Sequence, residues 1–245
     1  MKKTALLTAA AALMMATPAM AQGYVDLSYQ NTDSFGSGDI ETFSLGGAAA
    51  LGANFQLDAR YAHFDSSGSA DGFGVGGHLF SRGPQWLWGG YVGYVDVDGD
   101  GEWTAAAQTQ FYMSRTTLSG DLLYSDVGGS SSDFWALDGE LRHFATDNFS
   151  IQGNLGFGQI SGGGSADTWS AGVGAEWQLA SAPISIYGGY QYFDIDGAPD
   201  STNTFGIGAR WNFGGQTLFE RNRSGAGLGR PQGFFERLLG GANPR

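Results

Sequence analysis

Three aspartates near the middle of the chain have the spacing of a calcium-binding loop. The run DVDGDG that begins at Asp96 contains Asp96, Asp98 and Asp100, which match the opening of an EF-hand loop. An EF-hand also needs flanking helices and a glutamate at the twelfth loop position, where this chain has Ala107. The pattern therefore does not predict an EF-hand. We interpret Asp98-Gly99 as a hairpin tip and keep the three aspartates only as weak candidates for binding divalent cations.

Catalysis by an imidazole base would depend on His63, His78 or His143, the three histidines of the chain. No spacing sets one of them beside a serine or another nucleophile in the way that hydrolytic sites require. The chain has no cysteine, which excludes thiolate sites and a disulfide-stapled scaffold. We therefore expect no catalysed reaction and no cofactor.

The first 21 residues have the pattern of a secretory signal peptide. Two lysines at positions 2 and 3 precede an apolar run over 5–16, and Ala19-Met20-Ala21 forms a small-residue cleavage site. The run is shorter than the roughly 20 apolar residues of a membrane helix. The pattern predicts export and a mature chain that begins at Gln22.

The dominant pattern in the rest of the chain is an alternation of apolar and polar residues with a period of two, which is typical of β-strands. For example, Trp169, Val173 and Trp177 share one face of a segment whose other face carries Ser170 and Glu176. In one segment, the fifth, both faces carry aromatic residues and the phase is uncertain. Twelve strands are predicted, at 23–31, 41–51, 54–64, 72–82, 86–97, 102–114, 117–127, 133–144, 148–160, 167–180, 183–195 and 203–213.

The composition of the two strand faces favours a membrane barrel over a soluble β-sandwich or soluble barrel. In a soluble sheet the polar face carries many charges, whereas here it is mostly Gly, Ala, Ser, Thr, Gln and Asn. The apolar face has aliphatic residues in the middle and aromatic residues near its ends, as in a lipid-facing band between aromatic girdles. Lipid cannot satisfy an open strand edge, so the sheet must close. We predict an all-β, transmembrane, up-and-down antiparallel barrel of about 12 strands over 22–213.

The connections between the predicted strands alternate between short turns and longer loops rich in Asp, Gly and Ser. An even number of strands places both chain ends on one side of the membrane, with the short turns in the periplasm and the longer loops outside. None of the loops is long enough to fold inward as an obvious constriction. The short loops favour a monomer, and a trimer stays open.

The chain resembles Gram-negative outer-membrane β-barrel proteins of the porin type. The resemblance rests on the signal peptide ending Ala19-Met20-Ala21, the lack of cysteine, the alternating hairpins and the segment TFGIGARWNF at 204–213. That segment is similar to the C-terminal strand signal that the barrel-assembly machinery recognises. The resemblance implies an outer-membrane location and that machinery as a partner. Proteins of this type usually end at the phenylalanine, whereas this chain continues to residue 245.

Nine charged residues occupy predicted inward positions on the strands. A charged lumen has two interpretations, both of which stay open: internal ion pairs that hold a narrow lumen closed, or a constriction that screens solutes by charge. The predicted pore-lining residues are Asp26, Asp58, Arg60, Asp121, Asp138, Glu140, Arg142, Glu176 and Arg210.

The charge of the last segment is opposite to that of the barrel. Residues 214–245 have five arginines and two glutamates, a net +3, whereas 22–213 has 5 arginines and 22 acids, a net −17. Because isolated short helices are unstable in water, we expect a basic, disordered periplasmic tail. The charge complementarity leaves an alternative in which the tail folds into the periplasmic mouth and restricts it. The tail could also contact anionic lipid.

The predicted function is passive diffusion of small hydrophilic solutes through a channel that prefers cations, because acidic residues attract cations. Three alternatives stay open: a non-conducting structural or surface-interaction barrel with a packed lumen, a barrel enzyme whose site the sequence does not reveal, and an uptake channel specific for one substrate. Expected partners are outer-membrane lipid and lipopolysaccharide, whose phosphates divalent cations could bridge to carboxylates of the outer rim. The acidic charge excludes nucleic acid. These further rim candidates are Asp65, Asp71, Asp126, Asp133, Asp194, Asp196 and Asp200.

Overall fold

The structure is a computed structural model that describes residues 22–34, 38–128, 132–214 and 217–239. The predicted signal peptide, 1–21, and the last part of the predicted tail, 240–245, lie outside these described residues. Within the described ranges, the chain forms twelve strands followed by two short helices.

The strands are numbered β1 to β12 in chain order. Their number agrees with the prediction, and most ends lie within three residues of the predicted ones. Their bounds are Gln22–Ser34, Asp39–Leu51, Phe55–Asp65, Ser69–Arg82, Trp86–Val97, Asp100–Tyr112, Thr116–Val127, Ser132–Thr146, Phe149–Ser161, Ser165–Gln178, Ile184–Ile195 and Thr202–Phe213.

The twelve strands form one closed antiparallel barrel. Each strand pairs with its neighbours in sequence, and β1 pairs with β12 to close the ring. At the closure, Asp26 of β1 lies opposite Arg210 of β12 and opposite Gly46 of β2. This pairing gives hydrogen-bond partners to the backbone groups of the first and last strands, β1 and β12. A barrel in lipid requires such partners, because lipid offers none.

Strand β5, whose phase the sequence leaves uncertain, has a definite inner and outer face. Trp86, Trp88 and Val92 are exposed on the outside, whereas Leu87 and Tyr91 are buried inside. The aromatic residues of the outer face belong to the exposed outer surface of the barrel, and Tyr91 of the inner face lies in its interior.

The outer surface of the barrel is strongly apolar. Aliphatic side chains such as Leu79 and Val173 are 68% and 62% exposed there. Large exposed apolar surfaces on a protein indicate contact with lipid or another protein, and a band around a closed barrel fits the hydrocarbon layer. All seven tryptophans are on this surface: Trp86, Trp88, Trp103, Trp135, Trp169, Trp177 and Trp211.

The two ends of the barrel differ less in loop length than the sequence indicates. We call the end where β1 begins and β12 ends the proximal end, and the other the distal end. The proximal connection 52–54 and the distal connection 66–68 have three residues each, and the proximal connection 179–183 is one residue shorter than the distal connection 196–201, because the strands extend into the predicted distal loops. The position of the chain ends, rather than loop length, distinguishes the two sides.

The chain after β12 contains helix α1, Leu218–Ser224, and helix α2, Phe234–Leu238. No helix in the described ranges is long and apolar enough to span a membrane. Thr217 caps α1: its hydroxyl accepts from the Glu220 amide at 3.2 Å, and the Glu220 carboxylate accepts from the Thr217 amide at 3.0 Å. This reciprocal capping box fixes the start of the helix.

Candidate functional site: the lumen and the C-terminal segment

All nine predicted pore-lining residues lie on the lumen side of their strands. Asp26, Asp58 and Arg60 are half-buried. The other six are buried beneath the barrel wall and the chain that follows β12; they are Asp121, Asp138, Glu140, Arg142, Glu176 and Arg210.

Residues 217–239, which we call the luminal segment, extend from the proximal mouth of the barrel into its interior. Leu218, Leu228 and the guanidinium groups of Arg221 and Arg237 are all less than 10% exposed. The expectation of a disordered periplasmic tail is therefore wrong for these residues. The physical reason is that the segment does not stand alone in water, since acidic and polar groups of the wall bind it along its length.

Helix α1 lies at the proximal end. The Phe219 amide donates to the Asp147 carbonyl at 3.0 Å, and Arg223 donates to the Met113 carbonyl at 2.6 Å. Both carbonyls lie at proximal turns, and the Arg223 guanidinium also lies 4.6 Å from the centre of the Tyr112 ring. The segment therefore enters the lumen beside the end of β12.

The middle of the luminal segment crosses the barrel interior. Leu228 packs in a small apolar cluster with Phe80, Leu87 and Tyr112 of the wall. The side chain of Gln56 binds both backbone groups of Leu228, donating to its carbonyl at 2.8 Å and accepting from its amide at 3.3 Å. These contacts hold an irregular stretch of chain in one position.

Helix α2 lies toward the distal end, where Glu102 of β6 binds its first turn. The Phe234 amide donates to Glu102 Oε1 at 2.5 Å, and the Phe235 amide donates to Oε2 at 2.9 Å. The hydroxyl of Thr42 also donates to the Leu239 carbonyl at 3.5 Å. The luminal segment thus extends from the proximal mouth into the distal part of the lumen.

Glu176 of β10 is the centre of a buried ion cluster. Its Oε2 accepts from Arg210 Nη1 of β12 at 2.9 Å and from Arg221 Nη2 of the luminal segment at 2.8 Å. Its Oε1 accepts from the Ser185 hydroxyl at 2.6 Å. Arg221 Nη1 also donates to the side-chain oxygen of Asn212. One carboxylate therefore binds a cation of the wall and a cation of the segment.

An aromatic ring completes the surroundings of both cations. The Tyr24 ring centre lies 4.1 Å from the Arg210 guanidinium carbon and 5.4 Å from that of Arg221. Burial lowers the pKa of the Arg221 guanidinium and the nearby Glu176 carboxylate acts to raise it, with a net lowering. The group stays charged at neutral pH because arginine titrates far above it.

Asp138 of β8 binds the second arginine that the segment buries. Arg237 Nη2 donates to Asp138 Oδ2 at 2.5 Å, and Nη1 donates to the Ser170 hydroxyl at 3.1 Å. The Phe134 ring centre lies 5.3 Å from the Arg237 guanidinium carbon. Gly156 leaves room for these contacts, since a Cβ there would lie 2.2 Å from Asp138 Oδ1.

A second polar network lies within the wall. His78 is fully buried, with Nε2 2.9 Å from Asp58 Oδ1 and Nδ1 2.6 Å from Gln108 Oε1. Gln108 donates in turn to Asp121 at 3.1 Å. The other carboxylate oxygen of Asp58, Oδ2, is buried without a hydrogen-bond partner, so the network is only partly satisfied.

The remaining predicted charges have contacts nearer the barrel wall. Arg142 lies 3.2 Å from Glu140, and Arg60 donates to the Ser44 hydroxyl at 3.0 Å. Asp26 accepts from the Tyr187 hydroxyl. A cavity of about 90 Å³ lies beside Asp26 and Arg60, which is room for a few water molecules.

The luminal segment nearly neutralises the lumen. The lumen-facing charges of the described strands are four arginines and seven acids, a net −3, and the segment contributes four arginines and two glutamates, a net +2. The wall charges are Arg60, Arg82, Arg142, Arg210, Asp26, Asp58, Glu102, Asp121, Asp138, Glu140 and Glu176.

The other two histidines lie in exposed or half-buried positions. His63 Nδ1 is 2.9 Å from Asp71 Oδ1, and His143 Nδ1 is 3.0 Å from the Thr116 hydroxyl. In the contacts described, neither of them nor His78 combines a carboxylate with an aliphatic hydroxyl, as a catalytic triad would.

The Asp98-Gly99 tip is a two-residue hairpin turn. Both residues have positive φ, 55° and 102°, and the Gly99 amide donates to the Asp96 carboxylate at 3.3 Å. Val97 pairs with Asp100 across the turn. In the part of the chain that the structure describes, no group of three His, Cys, Asp or Glu residues could hold a metal ion.

Sequence reasoning missed Glu102 and Arg82, and it raised the entry of the basic tail into the mouth only as an alternative, without partners for its arginines. Glu102 has the same parity as Thr104 and Gln108, which the alternation assigns to the inner face, so this signal was present. Arg82 faces inward at the end of β4 and donates to the Gly225 carbonyl at 3.2 Å. For the segment, the signal was its charge opposite to that of the barrel.

Known barrel structures match this architecture. The KdgM porin in complex with disordered oligogalacturonate superposes with a TM-score of 0.60 at 8% identity, covering 78% of this chain and 99% of that one. The NanC porin superposes with a TM-score of 0.61 at 10% identity, covering 77% and 98%. The chain has the fold of a porin-type outer-membrane β-barrel. No protein-family model matches the sequence, and no curated protein matches it.

A barrel of another functional class also matches. The translocator domain of the autotransporter NalP from Neisseria meningitidis superposes with a TM-score of 0.51 at 13% identity, covering 86% of this chain and 95% of that one. Likeness at these identities establishes the fold, which several functions share.

Proposed function

We propose that the protein is an outer-membrane channel for passive diffusion of small hydrophilic solutes, with a preference for cations, and that the luminal segment closes it in the state described here. The observation that supports a channel is the polar character of the lumen. Glu176, Asp138 and Glu102 bind the segment through ion pairs and hydrogen bonds. Its apolar residues Ala226, Leu228 and Phe234 each pack in a separate small cluster with the wall. A polar wall suits water when the segment leaves.

The cation preference follows from the wall charge. Without the luminal segment the lumen keeps its net −3, and a narrow lumen of one sign concentrates counter-ions. The acidic residues of the distal rim act in the same direction. The porin likeness supports a channel by analogy, and one of those porins, KdgM, forms a complex with an oligogalacturonate.

The proposed location is the outer membrane, with the proximal end in the periplasm. The apolar outer band and the tryptophans support lipid as a partner, and the barrel-assembly machinery would insert the chain. Distal carboxylates, including Asp96, Asp98 and Asp100, would bridge to lipopolysaccharide phosphates through divalent cations.

One observation favours a second function, a non-conducting structural barrel. Glu176, Arg210 and Arg221 form a cluster in which each residue is at most 6% exposed. Such a cluster resembles the interior of a protein more than a water-filled pore. In this alternative the luminal segment is a permanent core.

Conductance separates the two functions. A cleavable form carries a protease recognition sequence inserted after Gly214; it is folded as an intact chain, cut, and washed in ~1 M salt with mild denaturant, because salt alone screens buried ion pairs only weakly. Mass spectrometry verifies that the cut segment has left. We expect the uncut protein to be silent in a planar bilayer, and the cut, washed protein to open discretely with a cation-selective reversal potential. A folded, washed barrel that stays silent would overturn the channel and support the structural function.

A further inference from the structure

Two arginines of the luminal segment are bound by the same three kinds of group. Each guanidinium contacts a carboxylate, a neutral oxygen acceptor and an aromatic ring. The Arg221 site consists of Glu176, Asn212 and Tyr24, and the Arg237 site consists of Asp138, Ser170 and Phe134.

These contacts match a guanidinium better than an ammonium group. In the Arg237 site, the two terminal nitrogens of the planar fork donate to different acceptors, Asp138 and Ser170, at 2.5 and 3.1 Å. A lysine ammonium is a single point charge that cannot span two such acceptors while a flat face lies against a ring. The sites therefore distinguish the shape of a cation as well as its charge.

Every group that forms the two sites belongs to the barrel wall. Tyr24, Asn212 and Glu176 are on β1, β12 and β10, and the Arg237 site is built on β8 and β10. Gly156 of β9 leaves the space that Arg237 occupies, since a Cβ there would lie 3.2 Å from its Nη1. The sites thus stay in the wall when the segment leaves.

The other arginines of the segment do not have these three contacts. Burial of a basic segment in a polar lumen is therefore not enough to create such a site. Arg223 contacts the carbonyls of Met113 and Thr116. Arg230 pairs with Glu236, which is itself part of the segment.

We propose that the Arg221 and Arg237 sites bind guanidinium groups of solutes in the lumen, so that arginine-containing peptides are the solute class of the channel and the luminal segment occupies their place. This inference rests on the proposed channel function for the passage of the solute. Binding at the sites can be measured without conduction.

The experiment uses the cleavable form, cut and washed as above, in detergent micelles. Fluorescent tetra-arginine and tetra-lysine peptides are titrated and followed by anisotropy. We expect tetra-arginine to bind at least roughly tenfold more tightly, the scale of a desolvated cation–aromatic contact together with a second acceptor. Equal affinity for the two peptides would show that only their charge matters and would overturn the proposal. A cut segment that cannot be washed out of the barrel would also overturn it.

Variants locate the binding. Asp138→Asn and Ser170→Ala should each reduce the preference for arginine, and the milder Ser170→Ala keeps the test valid if Asp138→Asn does not fold. Glu140→Gln is the matched control, a lumen acid outside both sites that pairs with Arg142; it should keep the preference. An unchanged preference in both site variants would overturn the assignment. A washed barrel that prefers the arginine peptide but does not conduct would overturn the proposed channel function and support the two guanidinium sites.

Discussion

Arg221 Nη2 donates to Glu176 Oε2 at 2.8 Å, so a residue beyond the last strand is joined to the tenth strand of the wall. Arg210 Nη1 donates to the same oxygen at 2.9 Å. The carboxylate therefore has a partner whether or not the luminal segment is present. If Glu176 lost its charge while the segment stayed, Arg221 would lose the carboxylate that it contacts, and Arg210 would keep only its longer contact with Asp26 at 3.8 Å.

The first prediction concerns this difference between Glu176, which contacts two arginines, and Arg221, which contacts one carboxylate. Glu176→Gln should lower the free energy of unfolding by about 3–5 kcal/mol, the usual cost of removing one partner from a buried ion pair. Arg221→Gln should cost less, because Arg210 still neutralises Glu176. Denaturant unfolding in micelles, followed by the loss of heat-modifiable mobility on gels, measures both.

The control for this pair is Asp147→Asn, which removes an exposed ion pair with Arg115 at 2.9 Å and keeps the bond of Arg115 to the Phe144 carbonyl. Exposed pairs contribute at most about 1 kcal/mol, so this variant should be close to the native protein. Equal losses for Glu176→Gln and Arg221→Gln would contradict the asymmetric cluster.

The space left by Gly156 gives the second prediction. Gly156→Ala would place a Cβ 2.2 Å from Asp138 Oδ1 and 2.6 Å from the Ser170 hydroxyl, which displaces both acceptors of Arg237. The amides of α2 should then exchange with deuterium faster than in the native protein. Gly139→Ala is the control, because a Cβ there meets nothing within 4 Å. Slow exchange in both variants would show that Arg237 does not hold the helix.

Glu102 gives the third prediction. Glu102→Gln keeps the side-chain size but removes the charge that the Phe234 and Phe235 amides contact. Because hydrogen bonds to a charged acceptor are about twice as strong as neutral ones, these two amides should exchange roughly tenfold faster, the equivalent of about 1.4 kcal/mol. Glu41→Gln, an exposed acid outside the lumen, should leave them unchanged. Faster exchange in the Glu41 variant would indicate a nonspecific effect.

The fourth prediction concerns the distal turn. Gly99 has a φ of +102°, whereas Gly163, in another distal connection, does not have a positive φ of this kind. At both positions an added Cβ would meet no atom within 4 Å, so the two glycines differ only in backbone conformation. Gly99→Ala should therefore lower the free energy of unfolding by about 1 kcal/mol through backbone strain alone. Gly163→Ala should not. Thermal unfolding of the two variants side by side measures the difference, and matching curves would be evidence against a strained turn.

The barrel could be predicted because each strand meets lipid on one side and a polar lumen on the other. Parity along a strand such as β10 therefore assigns Glu176 to the lumen and Trp177 to lipid. In β5 this argument fails because the lumen is not uniformly polar: Leu87 faces inward and packs against Leu228 of the luminal segment. The information that determines its phase lies far along the chain.

The pairing of the luminal charges could not be predicted. Arg237 and its partner Asp138 are 99 positions apart. Arg223, Arg230 and Arg237 are spaced by seven residues, which would place them on one face of a helix, but the chain between the two short helices is irregular. The prediction of a disordered tail assumed that the short helices are surrounded by water, where isolated helices of this length are unstable. Their actual surroundings supply acceptors for Arg221 and Arg237 and for the first amides of α2.

The position of the luminal segment directly after β12 determines the order of events in biosynthesis. β12 is the strand that completes the ring with β1, and the segment begins only a few residues later, at the proximal mouth. The whole wall is therefore translated before its filling. Because the segment is tethered at that mouth, it enters the lumen from the proximal end, either as the ring closes or afterwards. Filling of the lumen thus follows the synthesis of every strand that surrounds it.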